Sequence, residues 1–236
     1  MRRFQVPRSD VIAGIEWLGE QVPYPVKEVK GDTYPMTWAA DGEIYASSGD
    51  PNWGESPWGL DVEKIIGYPP DYHIEQVNPM VHFTGWGGWG PKPTGMISVK
   101  GVLYLAVQNC GGKKPPVYGT KSQNGTDAHI FASKDLHLKA IDRYLLLTWR
   151  LNEDFSPSAG SRLIVYDAPE PWGPFTLAHY EPQWQSQEMN PYCPRIPLKW
   201  MEPDGLTGWL QFSGSWGSQD AHYRSHVQRF RIRPAR

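Results

Sequence analysis

Two kinds of residue in this chain have the types and spacing for chemistry: carboxylates at the mouths of short strands, and tryptophans in glycine- and proline-rich loops. Asp32 follows Gly31 and opens the strand "DTYPMTWA". Asp50 ends the next strand, ahead of "PNWGESPWG", and Glu188 precedes a later strand in "SQEMNPYCPRI". Two carboxyl groups flanking a sugar linkage are what glycoside hydrolysis requires, one protonating the leaving oxygen and the other acting as base or nucleophile. In that scheme Asp32 is the base or nucleophile, and Glu188 is the acid if a half-apolar setting raises its pKa. Asp50 would reach the mouth of the site. Each also has a plainer reading, as a strand-entry or loop carboxylate bonded to nearby backbone. Asp41 and Asp204 precede glycines and read as turn residues.

The tryptophans suit the same substrate class. Trp53, Trp58, Trp86 and Trp89 lie in loops rather than alternating strands. Sugar C–H faces stack on such rings, although the rings could equally pack over a core edge. Trp38 and Tyr192 join the candidate substrate contacts. Arg150 and Arg195 interrupt otherwise apolar strands, and a buried arginine needs a partner: a carboxylate, or a substrate hydroxyl. His129, beside Asp127 at a strand start, is a further candidate. "GWGGWGP" lacks the Lys-Ser/Thr of a nucleotide loop. Cys110 and Cys193 have no Cys or His neighbour at ligand spacing, so no metal and no cofactor are expected, and their spacing leaves a disulfide open.

The bulk composition narrows the setting. The 236 residues carry a net charge of −2, with 39% hydrophobic and 20% charged residues, which marks a globular chain without the basic stripe of a nucleic-acid binder. Arg229, Arg231, Arg233 and Arg236 alternate closely enough to mark the outer face of a last strand. No apolar run reaches the length of a membrane helix, so no membrane partner is expected. "MRRFQVPR" is too polar for a signal peptide, which leaves a cytoplasmic chain or one that has lost its leader. Asn124-Gly-Thr126 is a glycosylation acceptor only in a secreted eukaryotic setting.

The elements that must position these residues are strands. With 24 glycines and 23 prolines, turn residues punctuate the chain throughout. "YPMTWAADGEIYASSGD" reads as a hairpin about Asp41-Gly42, and "TGMISVKGVLYLAVQNC" as another about Lys100-Gly101. "AHIFASKD", "DRYLLLTWRLNED", "SRLIVYDAPEPWGPF", "PRIPLKWMEPDGLTGWLQFSGSW" and "HYRSHVQRFRI" continue the series. Residues 133–147 have some helical character but become an apolar run suited to a buried strand. The strands group into four units, about 30–78, 92–135, 140–181 and 190–232, a repeat of the length of propeller blades. The expected fold is all-β, a β-propeller in one domain spanning 1–236, with a β-sandwich as the alternative. Trp172 is expected in a rigid turn between units, fixed by Pro169, Pro171 and Pro174.

Taken in order, "GDTYPMTWAADGEIYAS", "AHIFASKD", "RYLLLTWRLNEDF", "RLIVYDAPEPWGPF" and "PRIPLKWMEPDGLTGWLQFSG" resemble a group of bacterial and fungal five-bladed propellers long labelled a domain of unknown function. That group includes endo-D-arabinanase-type glycoside hydrolases. The resemblance spans most of 15–232. It implies a monomer in an extracellular setting acting on an arabinan-like or other polysaccharide, with Asp32 at the position of the first-blade aspartate. The chain departs from the pattern where Asp135 runs almost directly into "RYLLLTW". The resemblance therefore implies a propeller reduced to about four blade-like units, shortened in the middle blades that often supply the acid. A non-catalytic carbohydrate-binding propeller and a protein-binding scaffold are the competing functions.

Overall fold

A computed structural model describes residues 6–56, 58–83, 91–108, 137–151, 160–184, 190–214 and 222–235. The chain is all-β. Its strands are β1 (Ile12–Pro23), β2 (Met36–Trp38), β3 (Ile44–Ala46), β4 (Val62–Ile66), β5 (His73–Asn78), β6 (Lys92–Val99), β7 (Val102–Gln108), β8 (His137–Leu138), β9 (Arg143–Leu151), β10 (Ser161–Ala168), β11 (Thr176–Trp184), β12 (Tyr192–Arg195), β13 (Thr207–Ser213) and β14 (Ser225–Pro234). They form open antiparallel sheets in the orders β2-β3-β4-β5, β6-β7, β11-β10-β9-β8 and β1-β14-β13-β12. The chain divides into two compact units: residues 24–131 with 223–225, and residues 1–23 with 132–222 and 226–236.

The turn chemistry read from the sequence shapes the first unit. Lys100 and Gly101 both have positive φ (50° and 79°), as a tight hairpin between β6 and β7 requires. Asp41 accepts from the Glu43 amide at 3.1 Å and so closes the β2–β3 turn. The core of this unit is Tyr24, Val29, Tyr34, Ile44, Ala46, Leu60, Ile65, Tyr72 and Ile74. Tyrosine in a core brings a hydroxyl that needs a partner. Tyr24 OH accepts from the Ile74 amide at 2.8 Å, and Tyr72 OH meets Ser225 Oγ at 3.2 Å.

In the core of the second unit Ile12, Ile15, Leu163, Val165, Leu210, Phe230 and Ile232 pack around Trp184 and Phe212, whose rings are 5.1 Å apart. Of residues 133–147, those described are strand at 137–138 and 143–147, joined by a turn at 139–142. The arginines of β14 alternate as expected, with Arg231 and Arg233 exposed on either side of buried Ile232. Trp172 departs from expectation. It lies in the connection from β10 to β11, two neighbours within one sheet, and is 79% exposed.

The N-terminal segment ties two sheets of this unit together. β1 pairs with β14 along one side, Ile15 opposite Ile232. On its other side the Ile15 amide donates to His179 Nδ1 of β11 at 3.2 Å. Just before β1, Leu177 N donates to Pro7 O at 2.7 Å and Ser9 N to Leu177 O at 3.0 Å. Because Nδ1 accepts, the ring is neutral, with its proton on Nε2, 3.6 Å from Glu181 Oε2. Burial lowers the His179 pKa. Glu181 opposes the shift, and Arg233 and Arg8 add to it. The folded state thus favours neutral imidazole, so the stability it confers is present above the ordinary histidine range and is lost as pH falls through the lowered value. Protonation would set a ring N–H against the Ile15 N–H. The thermal midpoint should therefore drop between about pH 7 and about pH 5, and His179→Gln, a non-titrating acceptor, should flatten that drop. An acid profile unchanged in His179→Gln would refute this role.

Candidate functional site

The site is built where the lead into β2 meets the exit from β3. Asp32 and Gly49 exchange both backbone hydrogen bonds, each 2.9 Å, which extends the β2–β3 ladder by one bridge. Gly49 also bridges Leu60 on its other side. Thr33, Tyr34 and Asp50 hold φ of 63°, 41° and 50°. Non-glycine residues in this region are strained by about 1–3 kcal/mol each, and such residues cluster at functional sites. Strain at three positions around one bridge shows how firmly the surroundings fix this corner.

The Asp32 carboxylate lies over Gly49. A Cβ there would come 2.6 Å from Asp32 Oδ1 and 3.3 Å from both Lys92 Cδ and Thr33 Oγ1, so only glycine fits without displacing the carboxylate. Asp32 and Asp50 are both buried, at 7% and 5% exposure. Lys92, the first residue of β6, donates to Asp50 Oδ1 at 2.6 Å, which makes Asp50 the anion of a tight, largely desolvated pair. Tyr223 donates its hydroxyl to Asp32. Burial, then the charges of Asp32 and Asp50, push its phenol well above the ordinary tyrosine range. Tyr223 is thus a hydrogen-bond donor here and not a phenolate nucleophile.

A second polar layer lies behind. Asp61 and Glu63, two apart at the start of β4, face the same side of the sheet and are both fully buried. Ser48 Oγ sits between them, 2.8 Å from Asp61 Oδ1 and 2.7 Å from Glu63 Oε1, and the Ser48 amide donates to Asp61 Oδ1 at 3.1 Å. Gln76 Nε2 donates to Asp61 Oδ2 at 3.1 Å and to Ser56 Oγ at 2.8 Å. Burial raises the pKa of both acids. Glu63 goes furthest, because the charge of Asp61 adds to its desolvation.

Of the residues singled out from sequence, Asp32 and Asp50 come together here. Trp38, on β2, is 54% exposed, and Trp58 is 40% exposed. The Trp53 indole turns inward beside Glu63, with its nitrogen buried. In the other unit Tyr192 is buried with its ring 5.6 Å from that of Trp149. The Arg195 guanidinium is desolvated, which lowers its pKa, and it donates to Pro194 O at 3.2 Å. Arg150 does not interrupt a buried strand face: it is exposed on β9, opposite Arg162 of β10. Glu188, Trp86, Trp89, His129 and Cys110 lie outside the described residues.

Sequence reasoning missed Lys92, Tyr223, Ser48 and the Asp61/Glu63 pair. The pair had a signal: carboxylates at i and i+2 of a strand whose next inward residue is Ile65. No such signal marks Tyr223, which reaches the site through chain topology alone.

No family model, no curated protein and no solved structure matches this chain.

The Lys92–Asp50 pair supplies a direct test of the site's electrostatics. Lys92→Met removes the cation from a buried carboxylate and should cost about 3–5 kcal/mol in denaturant unfolding. Adding Asp50→Asn should recover most of it, since no charge is then left in the pocket. A single-variant cost below about 1 kcal/mol would place the pair in the solvated class and contradict the burial described.

Proposed function

We propose that the chain is a glycoside hydrolase-like β-propeller acting on an arabinan-like or other polysaccharide, with Asp32 as the base or nucleophile. The observation that carries the reading is the meeting of Asp32 and Asp50 at one strained, buried strand junction, with Lys92 and Tyr223 holding them. A carboxylate that accepts from a tyrosine hydroxyl over a glycine floor has a fixed orientation. Asp50, ion-paired to Lys92, serves as a fixed charge rather than a proton donor. The sequence reading gives the acid role to Glu188.

The sheets support the propeller half of the reading. β2-β3-β4-β5 and β8-β9-β10-β11 are four-stranded meanders in chain order, as blades are. In the fourth sheet, β1 completes a run of three C-terminal strands, the means by which propellers close their ring.

Exposed Trp38 and Trp58 favour a second reading, a carbohydrate-binding propeller without turnover. A panel of neutral polysaccharides separates the two. The hydrolase reading expects release of reducing ends by the wild type and a loss of about 10²-fold or more in Asp32→Asn, with binding retained. Equal hydrolysis by both proteins would remove Asp32 from catalysis, and binding without hydrolysis by the wild type would leave the binder.

A further inference from the structure

The buried layer behind Asp32 contains a count of hydrogens that does not close with both acids ionised. Ser48 has one hydroxyl hydrogen, yet its oxygen lies at hydrogen-bond distance from two carboxyl oxygens, 2.8 Å to Asp61 and 2.7 Å to Glu63. Two ionised carboxylates would offer acceptors only, and one short contact would set lone pair against lone pair. The second contact needs a proton on a carboxyl group. Asp61 is the better anion, since it already accepts from the Ser48 amide and from Gln76. Glu63 is the better acid. It points inward on β4 beside Ile65, and its neighbours are the Asp61 carboxylate, the Trp53 indole and the phenols of Tyr34, Tyr24 and Tyr72.

The layer also touches the site. Gly31, immediately before Asp32, has no room for a side chain because Ser48 fills it: a Cβ at Gly31 would lie 2.7 Å from Ser48 Cβ and 2.8 Å from its Oγ. Ser48 in turn precedes Gly49, whose backbone exchanges both hydrogen bonds with Asp32. Whatever fixes the Ser48 hydroxyl therefore fixes the Gly31–Asp32 and Ser48–Gly49 backbones against each other.

We propose that Glu63 is a positioning residue that works as a neutral acid: its proton lets Ser48 lie between two carboxyl groups, and so locks the strand junction carrying Asp32 and Asp50. The role rests on the reading of that junction as the active site, but the lock itself is a property of the fold. When Glu63 loses its proton, two anions face one hydroxyl in a site shielded from water, and the junction slackens. The sign follows from linkage. The locked state holds a proton that an opened, hydrated Glu63 gives up, so opening releases a proton and grows easier with rising pH. The effect starts above the ordinary carboxylate range and levels off once pH passes the raised value.

The test needs no substrate. Infrared difference spectra of the wild-type protein at neutral pH should contain a protonated-carboxyl band that is lost at high pH and is absent from Glu63→Gln. Hydrogen exchange, corrected for intrinsic rates, should show protection of the Asp32 and Gly49 amides falling about tenfold per pH unit across that window in the wild type. The same protection should stay flat in Glu63→Gln, whose amide keeps a neutral donor in place. Ser48→Ala, which removes the shared hydroxyl, should keep the band and uncouple it from the Asp32 and Gly49 amides. Absence of the band at neutral pH would overturn the proposal. So would equal pH dependence of protection in wild type and Glu63→Gln, or protection in the wild type that does not respond to pH. A protein that hydrolyses no polysaccharide yet shows the band and the coupled exchange would defeat the hydrolase reading and leave the lock intact.

Discussion

Charge taken out of water has to be answered on the spot, and this chain removes five carboxyl groups from solvent among its described residues: Asp32, Asp50, Asp61, Glu63 and Asp167. Each is answered differently. Asp50 has a lysine and Asp32 a tyrosine hydroxyl. Asp61 has an amide, a hydroxyl and a glutamine, and Asp167 has Arg143 at 3.3 Å and the Thr176 hydroxyl at 2.6 Å. Glu63 instead keeps its proton. Four of the five fall in one unit within a short stretch of chain, where they set the path of the backbone through Gly31, Gly49 and the strained residues between.

The two units divide the labour of folding accordingly. One is centred on a cluster of aliphatic and aromatic side chains and buries a single carboxyl group, Asp167, among its described residues. The other spends part of its interior on tyrosines and acids whose polar atoms demand specific partners. Such interiors lose more from a single wrong neighbour, because each unmet polar group carries its desolvation cost. In exchange they fix side chains to one geometry, as a reacting carboxylate requires.

Much of the framework was legible in the residues. Asp-Gly and Lys-Gly pairs set hairpins where they were expected, because positive φ at those positions leaves few alternatives. That the chain would be built of antiparallel strands joined by tight turns followed from the spacing of turns. Asp32 and Asp50 could be picked out because each ends or opens a strand next to glycine. What stayed hidden depends on contacts between distant segments. Tyr223 meets Asp32 across most of the chain. Lys92 reads as an ordinary strand-entry cation until β6 is placed beside β2. Arg150 is exposed, as is Trp149 before it, although the apolar run leading to them suggests burial. β1 lies outside the four units expected from the sequence. Its twelve residues pair with the last strand, and no local pattern announces a partner so far away.

That pairing of Ile15 with Ile232 sets an order of assembly. β1 leaves the ribosome long before its partner β14, the last of the described strands to emerge. Until then β1 presents an unpaired edge, and the sheet of β12 and β13 lacks its outer half. Closing so long a loop is slow compared with forming the local hairpins, so the unit cannot complete until β14 has been made. During that interval the segment most in need of shielding from other chains is the first strand rather than the last.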